Sequence, residues 1–148
     1  MEKNQDLQFA SDLRAAINKV VKKLRKESPT GQKLSHTERS VMIALYQHGA
    51  LLPSELAAME MITNQSMSQV LNNLQEFGLI VRIPSDTDKR KVNISLSETG
   101  VSTLIQFRHE RDEWLLKAIM QTCTTEEKEI LKQAIAPLNR LVDFEGNK

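Results

Sequence analysis

A chain of 148 residues, 40% hydrophobic and 26% charged with a formal net charge of +1, suits one ordinary folded core, or one core with arms. No apolar run approaches the roughly 18 residues of a membrane span, and the opening MEKNQDLQFASDLR lacks the apolar stretch of a secretory leader, so neither is expected. The single cysteine, Cys123, forbids an internal disulfide and suits a reducing cytoplasm, while a near-neutral charge neither demands nor excludes nucleic acid.

Ala10, Leu13, Ile17, Val20 and Leu24 recur at helical spacing and predict a long first helix, broken where Pro29 and Gly31 interrupt ESPTGQK. Its apolar stripe is long for a helix packed against one small domain. A second helix opens at Ser35, which forms a capping box with Glu38: the Ser oxygen takes an orphan amide and the carboxylate reaches back. Val41, Met42, Leu45 and Tyr46 make its apolar face, and Gly49 ends it. LLPSELAAMEM is a short third helix with Pro53 at its first position, where a missing N–H costs nothing, and with Leu56, Ala57 and Met59 facing inward.

TNQSMSQVLNNLQEFG predicts a fourth helix, capped by Thr63 or Asn64 and stopped at Gly78. LIVRI (79–83) and VNISL (92–96) alternate as strands do and flank a charged tip, too long for a two-residue turn. A long fifth helix is expected from Ser97 to about Met120. A sixth starts with a second capping box, Thr124 and Glu127, and should kink at Pro137. The expected fold is mainly α with a small β-hairpin: a winged helix–turn–helix over residues 34–97, flanked by long terminal helices.

On the fourth helix Met67, Val70, Leu71 and Leu74 share one face and predict its buried side. Gln65, Gln69, Asn72 and Glu76 fall opposite, flanked by Ser68 and Asn73. A plain solvated face accounts for such residues in most helices. Amides can also pair with adenine N6 and N7 in a major groove, and the second helix of a helix–turn–helix does that reading. Between Arg39 and Arg82 there is no Lys or Arg, so charge for phosphate must come from Lys33 and Arg39 near the second helix and from Lys89, Arg90 and Lys91 at the hairpin tip. At that tip Asp88 can hold the Arg90 guanidinium in one orientation, ready for a narrow minor groove; the alternative is a solvated turn that guards an edge strand.

Residues 34–100 resemble the MarR family of transcriptional regulators. LSHTERSVMIAL and LLPSELAAMEMITNQSMSQVLNNLQEFGLIVR carry the likeness, and DTDKRKVNISLSETG resembles the family's wing signature through Asp88, Arg90, Leu96, Ser97 and Gly100. The resemblance implies a single MarR-like domain over 1–148, with 34–97 as the DNA-binding core and 5–28 and 98–144 as dimerisation helices. It implies a homodimer on a pseudo-palindromic operator, acting as a repressor. Gln65, Ser66, Ser68, Gln69, Asn72 and Asn73 would lie at the major groove, and Asp88 would orient Arg90 at the wing. It also implies a small phenolic or amphipathic effector bound between the arms and the winged domain. Asn73 stands where many members carry a basic residue, and Leu52 where a capping Thr is usual.

Rival signals are weaker. His36, His48 and His109 do not make a ligand set, and no metal or cofactor is expected. There is no Gly-rich phosphate loop or catalytic constellation, so no enzyme is expected. Residues 10–26 form a basic amphipathic stretch but lack aromatic membrane anchors. Cys123 reads as a free thiol. The cation-free face of the fourth helix leaves one alternative open: a winged-helix protein-interaction module that does not bind DNA.

Overall fold

A computed structural model describes residues 2–146. In chain order these form α1 (Glu2–Lys26), α2 (Pro29–Gln32), α3 (His36–His48), β1 (Ala50–Leu51), α4 (Pro53–Glu60), α5 (Asn64–Glu76), β2 (Ile80–Pro84), β3 (Val92–Leu96), α6 (Glu98–Thr122) and α7 (Thr125–Val142). The helix starts follow from side-chain caps. Ser35 Oγ accepts from Glu38 N at 3.1 Å while Glu38 Oε1 accepts from Ser35 N at 3.0 Å. Thr63 Oγ1 caps α5 by accepting from Ser66 N, and Thr124 with Glu127 closes the same reciprocal pair on α7. At α4 only half of that device exists: Glu55 accepts from Leu52 N, but a leucine offers no acceptor in return.

Four local expectations need correction. The 29–32 segment, expected only as a break, makes one helical turn, because Ser28 Oγ accepts from Gly31 N and Pro29 sits at the first helical position. Ala50 and Leu51 form a third strand, pairing with Ser95 and Ile94 in a sheet of order β1-β3-β2. Met59 and Tyr46, expected inside, are each about half exposed; the Arg108 guanidinium lies 5.2 Å from the Tyr46 ring centre, which gives that ring a cationic cover instead of a core. Strand β2 starts one residue later than expected, because Leu79 N still donates to Leu74 O at the end of α5. In α7, Pro137 lies inside a helix that continues to Val142.

The chain divides into two compact units, one ending at Arg111 and the other beginning at Asp112, with the division inside α6. In the first unit Val41, Met42 and Leu45 of α3, Leu56 of α4, Met67, Leu71 and Leu74 of α5, Ile94 of β3, and Leu104 and Phe107 of α6 are all essentially inaccessible. Burying each contributes roughly 1.5–3 kcal/mol. Around this core α6 is riveted to the start of the hairpin. Ser97 N donates to Leu79 O at 3.0 Å, Ser97 Oγ donates to Gly78 O at 2.6 Å, and Gly100 N donates back to Ser97 Oγ at 2.9 Å. Gly100 faces the Leu79 carbonyl so closely that an added Cβ would lie 2.0 Å from its oxygen. By contrast α1 and α7 bury no residue within the chain; Leu7 and Phe9 of α1 are about two-thirds exposed.

A half-buried polar knot fixes the 28–31 turn to α6. Glu110 Oε2 accepts from Ser28 Oγ at 2.8 Å and from Thr30 N at 3.2 Å, and Oε1 accepts from Thr30 Oγ1 at 2.6 Å. Burial pushes the Glu110 carboxyl up, but the bonds from Thr30, Ser28 and Gln106 outweigh it and hold its pKa below the ordinary value. A carboxyl depressed in the folded state stabilises fully above its unfolded pKa, and that stability is lost as pH falls through the folded pKa. Glu110→Gln should therefore cost about 1–3 kcal/mol at neutral pH, by setting an amide against the donors of Ser28 and Thr30. It should also flatten the acid side of the stability curve. Urea midpoints across pH 3–7 measure both effects; identical acid limbs in parent and variant would remove Glu110 from this role.

Candidate nucleic-acid interface

Helix α5 separates its two faces cleanly. Met67, Leu71 and Leu74 are buried and Val70 is half-buried, while Gln65, Ser66, Ser68, Gln69 and Asn72 are exposed and Asn73 is half-buried. Most of these polar groups are already ordered. Ser66 is tied into the Thr63 cap, Ser68 Oγ donates to Asn64 O at 3.0 Å, and Gln69 Nε2 donates to Asn73 Oδ1 at 3.1 Å. The turn before α5 is hydrogen-bonded as well: Met61 takes a left-handed conformation (φ 54°) and its N–H donates to Ala57 O and Ala58 O.

The loop between β2 and β3 is folded on itself. Ser85 N donates to Lys91 O and Lys91 N donates to Asp88 O, both at 2.9 Å. Asp88 Oδ1 accepts from Arg90 N at 3.0 Å and from Arg90 Nε at 3.2 Å. The carboxylate is thus largely covered, while the Arg90 side chain is 91% exposed and its terminal nitrogens point to solvent. Lys89 and Lys91 flank it, also exposed.

Of the two cations expected near α3, Lys33 is exposed at the end of α2. Arg39 is not: its Nη1 donates to Gly31 O at 2.7 Å and to Leu34 O at 3.3 Å, which brackets Lys33. Burial, followed by the charge of Arg25, lowers the Arg39 pKa. One residue escaped the sequence reading. Arg82 of β2 reaches α5, with Nε donating to Gln75 Oε1 at 2.7 Å and Nη2 donating to Asn72 Oδ1 at 3.0 Å. No local pattern announces that contact; only the antiparallel pairing of the hairpin, which sets Arg82 opposite Ile94, brings the strand alongside the helix.

A cleft of about 310 Å³ opens between α1, α3 and α6, with Arg39 on its wall. Val21, Leu24 and Ile43 make its apolar side; Arg25, Arg39, Arg111 and His36 make the polar side, with no carboxylate among the lining residues. Burial first, then the charges of Arg39, Arg25 and Arg108, lowers the Arg111 pKa, and Arg111 Nε is buried without a hydrogen-bond partner among the described residues. Three crowded guanidinium groups with a spare donor suit an anion that also has an apolar body. Ser40, on the cleft wall, donates to Glu60 at the end of α4.

Among the described residues no helix is long and apolar enough to cross a membrane, and no group of three or more His, Cys, Asp or Glu is placed to hold a metal. Residues 34–92 match the sequence description of the MarR family. The chain is 32% identical over 140 residues to an HTH-type transcriptional regulator of Mycobacterium tuberculosis, covering 95% of this chain and 96% of that one. It superposes with a TM-score of 0.82 on a transcriptional regulator protein from Pseudomonas aeruginosa PA01, at 34% identity across 96% of this chain and 99% of the other. A mutant of S. aureus MepR bound to an oligodeoxyribonucleotide shares the fold at a TM-score of 0.69 and 21% identity, over 90% of this chain and 97% of that one.

Proposed function

This chain belongs to the MarR family of winged helix–turn–helix transcriptional regulators, and from that premise we propose that it acts as a homodimeric repressor on a pseudo-palindromic operator. The observation that carries the reading is α5, one side of which is locked into the core while the other presents an ordered row of amides and hydroxyls. Gln65, Ser66, Ser68, Gln69, Asn72 and Asn73 face the major groove. Arg90, held by Asp88, enters the adjacent minor groove, where negative potential concentrates. Lys33, Lys89 and Lys91 contact phosphate, and Arg39 supports them by fixing the carbonyls on either side of Lys33.

The uncovered apolar residues of α1 and α7 support a dimer clasped through the segments 5–28 and 98–144, since such faces lower their free energy only by meeting apolar partners. Within each protomer, residues 34–97 do the reading. The arginine-lined cleft suits an amphipathic effector with a carboxylate or phenolate, and the Ser40–Glu60 bond links its wall to the reading motif.

Duplex binding measured by fluorescence anisotropy against salt tests this reading. Lys33, Lys89 and Lys91 from two protomers predict a slope of log affinity on log salt near −5, about 0.9 per phosphate neutralised. Sedimentation of the free protein at micromolar concentration should give a dimer. A monomer that ignores duplexes at low salt would instead support a protein-interaction module, the role that the cation-free face of α5 alone suggests.

A further inference from the structure

We infer that Arg82 is a specificity-determining positioning residue: it fixes which end of the Asn72 side-chain amide is offered to a base. The inference rests on the proposed reading of DNA by α5. A surface asparagine presents two chemically opposite ends, a carbonyl acceptor and an NH₂ donor, and a half-turn of the amide exchanges them. A guanidinium has donors only. With Arg82 Nη2 3.0 Å from Asn72 Oδ1 and Nε 2.7 Å from Gln75 Oε1, both oxygens must point toward the arginine. Both NH₂ groups are then turned away from it.

The contrast with the neighbouring pair sharpens the point. Gln69 and Asn73 bond amide to amide, an arrangement that works equally well with both groups reversed, so nothing fixes their polarity. At Asn72 the polarity is fixed by charge. Asn72 and Gln75 lie three residues apart on one face of α5, so the clamp orders neighbouring groups on the reading surface. Outward NH₂ donors favour base edges rich in acceptors, which are guanine O6 and N7 and thymine O4, and disfavour the cytosine N4 amine.

The fold explains how a strand arginine reaches a helix surface. The register pairs Arg82 with Ile94 and Ile80 with Leu96, so Arg82 occupies the core-side face of the hairpin. Its neighbour Ile80 fills the core, while the longer Arg82 stem carries its head out to the exposed side of α5. Lysine could supply charge here but not the two-pronged geometry, because its ammonium is a point donor on a flexible stem. That difference separates positioning from simple phosphate attraction.

The test selects preferred duplexes from a randomised pool with the full-length parent, Arg82→Lys, Asn72→Ala and the double variant, and measures a salt slope for each. Arg82→Lys should keep the parent slope and lose roughly tenfold discrimination at one or two base pairs per half-site, a modest share of what a good base contact is worth. Asn72→Ala should lose discrimination at the same pairs, and the double variant should lose nothing further there. In the free proteins the Asn72 side-chain amide resonances should move in Arg82→Lys while the melting temperature holds. An Arg82→Lys protein with parental base preference, or with unmoved Asn72 resonances, overturns the inference and leaves the proposed function standing. A parent that selects no duplex at all overturns both.

Discussion

Replacing Arg90 by alanine will weaken operator binding by about thirtyfold or more and leave the melting temperature unchanged. The side chain is 91% exposed and touches only its own turn, through the Asp88 carboxylate. An exposed ion pair of this kind is worth about 0–1 kcal/mol to the fold. A guanidinium placed against DNA is worth about 1–3 kcal/mol, and a dimer loses both wings at once, so at least about 2 kcal/mol of affinity should disappear. Asp88→Ala should act in the same direction with a smaller effect. The arginine remains, but it must now give up its own rotamer freedom on binding, about 0.5–1.5 kcal/mol. Mobility shifts set beside thermal melts of the three proteins measure both quantities. Parental affinity in Arg90→Ala would remove the wing from the interface.

Gly100→Ala will be the most destabilising single-methyl change in the first unit. Alanine is ordinarily the better helix residue by about 1 kcal/mol. Here the new methyl would stand 2.0 Å from Leu79 O and 3.0 Å from the carbonyl carbon, and both obstacles are backbone. Even a 3.0 Å separation from that oxygen requires α6 and the backbone just before β2 to part by about 1 Å, which a close-packed interior resists. That movement pulls Ser97 N off Leu79 O and Ser97 Oγ off Gly78 O, and it opens space beside Leu104 and Phe107. Overpacking costs about 1–3 kcal/mol and each lost hydrogen bond about 1 kcal/mol, so a net loss near 3 kcal/mol is expected after the helix-propensity gain. Ser102→Ala, exposed on the same helix, should be nearly neutral and serves as the control. A Gly100→Ala protein with the parental urea midpoint would mean that α6 slides freely over the hairpin.

The sequence was most legible where the deciding interactions are local. Ser35 with Glu38, Thr63 with Ser66, and Thr124 with Glu127 are three residues apart, so composition and spacing alone locate those helix starts. The buried face of α5 follows from the 3.6-residue period that places Met67, Leu71 and Leu74 in line. What could not be read depends on distant partners. Ser28 and Glu110 are 82 residues apart, and only the packing of the linker on α6 unites them. Strand β1 is two residues long, too short to show a period, and exists because β3 offers it an edge. Arg39 appeared free for phosphate because no spacing rule shows a guanidinium turning back onto the carbonyls of Gly31 and Leu34. Arg82 closes a stretch that lacks lysine and arginine in sequence, yet its head lies on α5 within that stretch.

Between α4 and the end of α5 the chain carries no lysine or arginine, and that bears on how a regulator finds its target in a genome. Attraction to arbitrary duplex grows with each phosphate neutralised. A recognition rod without cations therefore lingers little on sequence it does not want, and fewer molecules are held idle along the chromosome. Sparse copies of the protein can then fill a few sites, at the cost of a weaker electrostatic pull during approach.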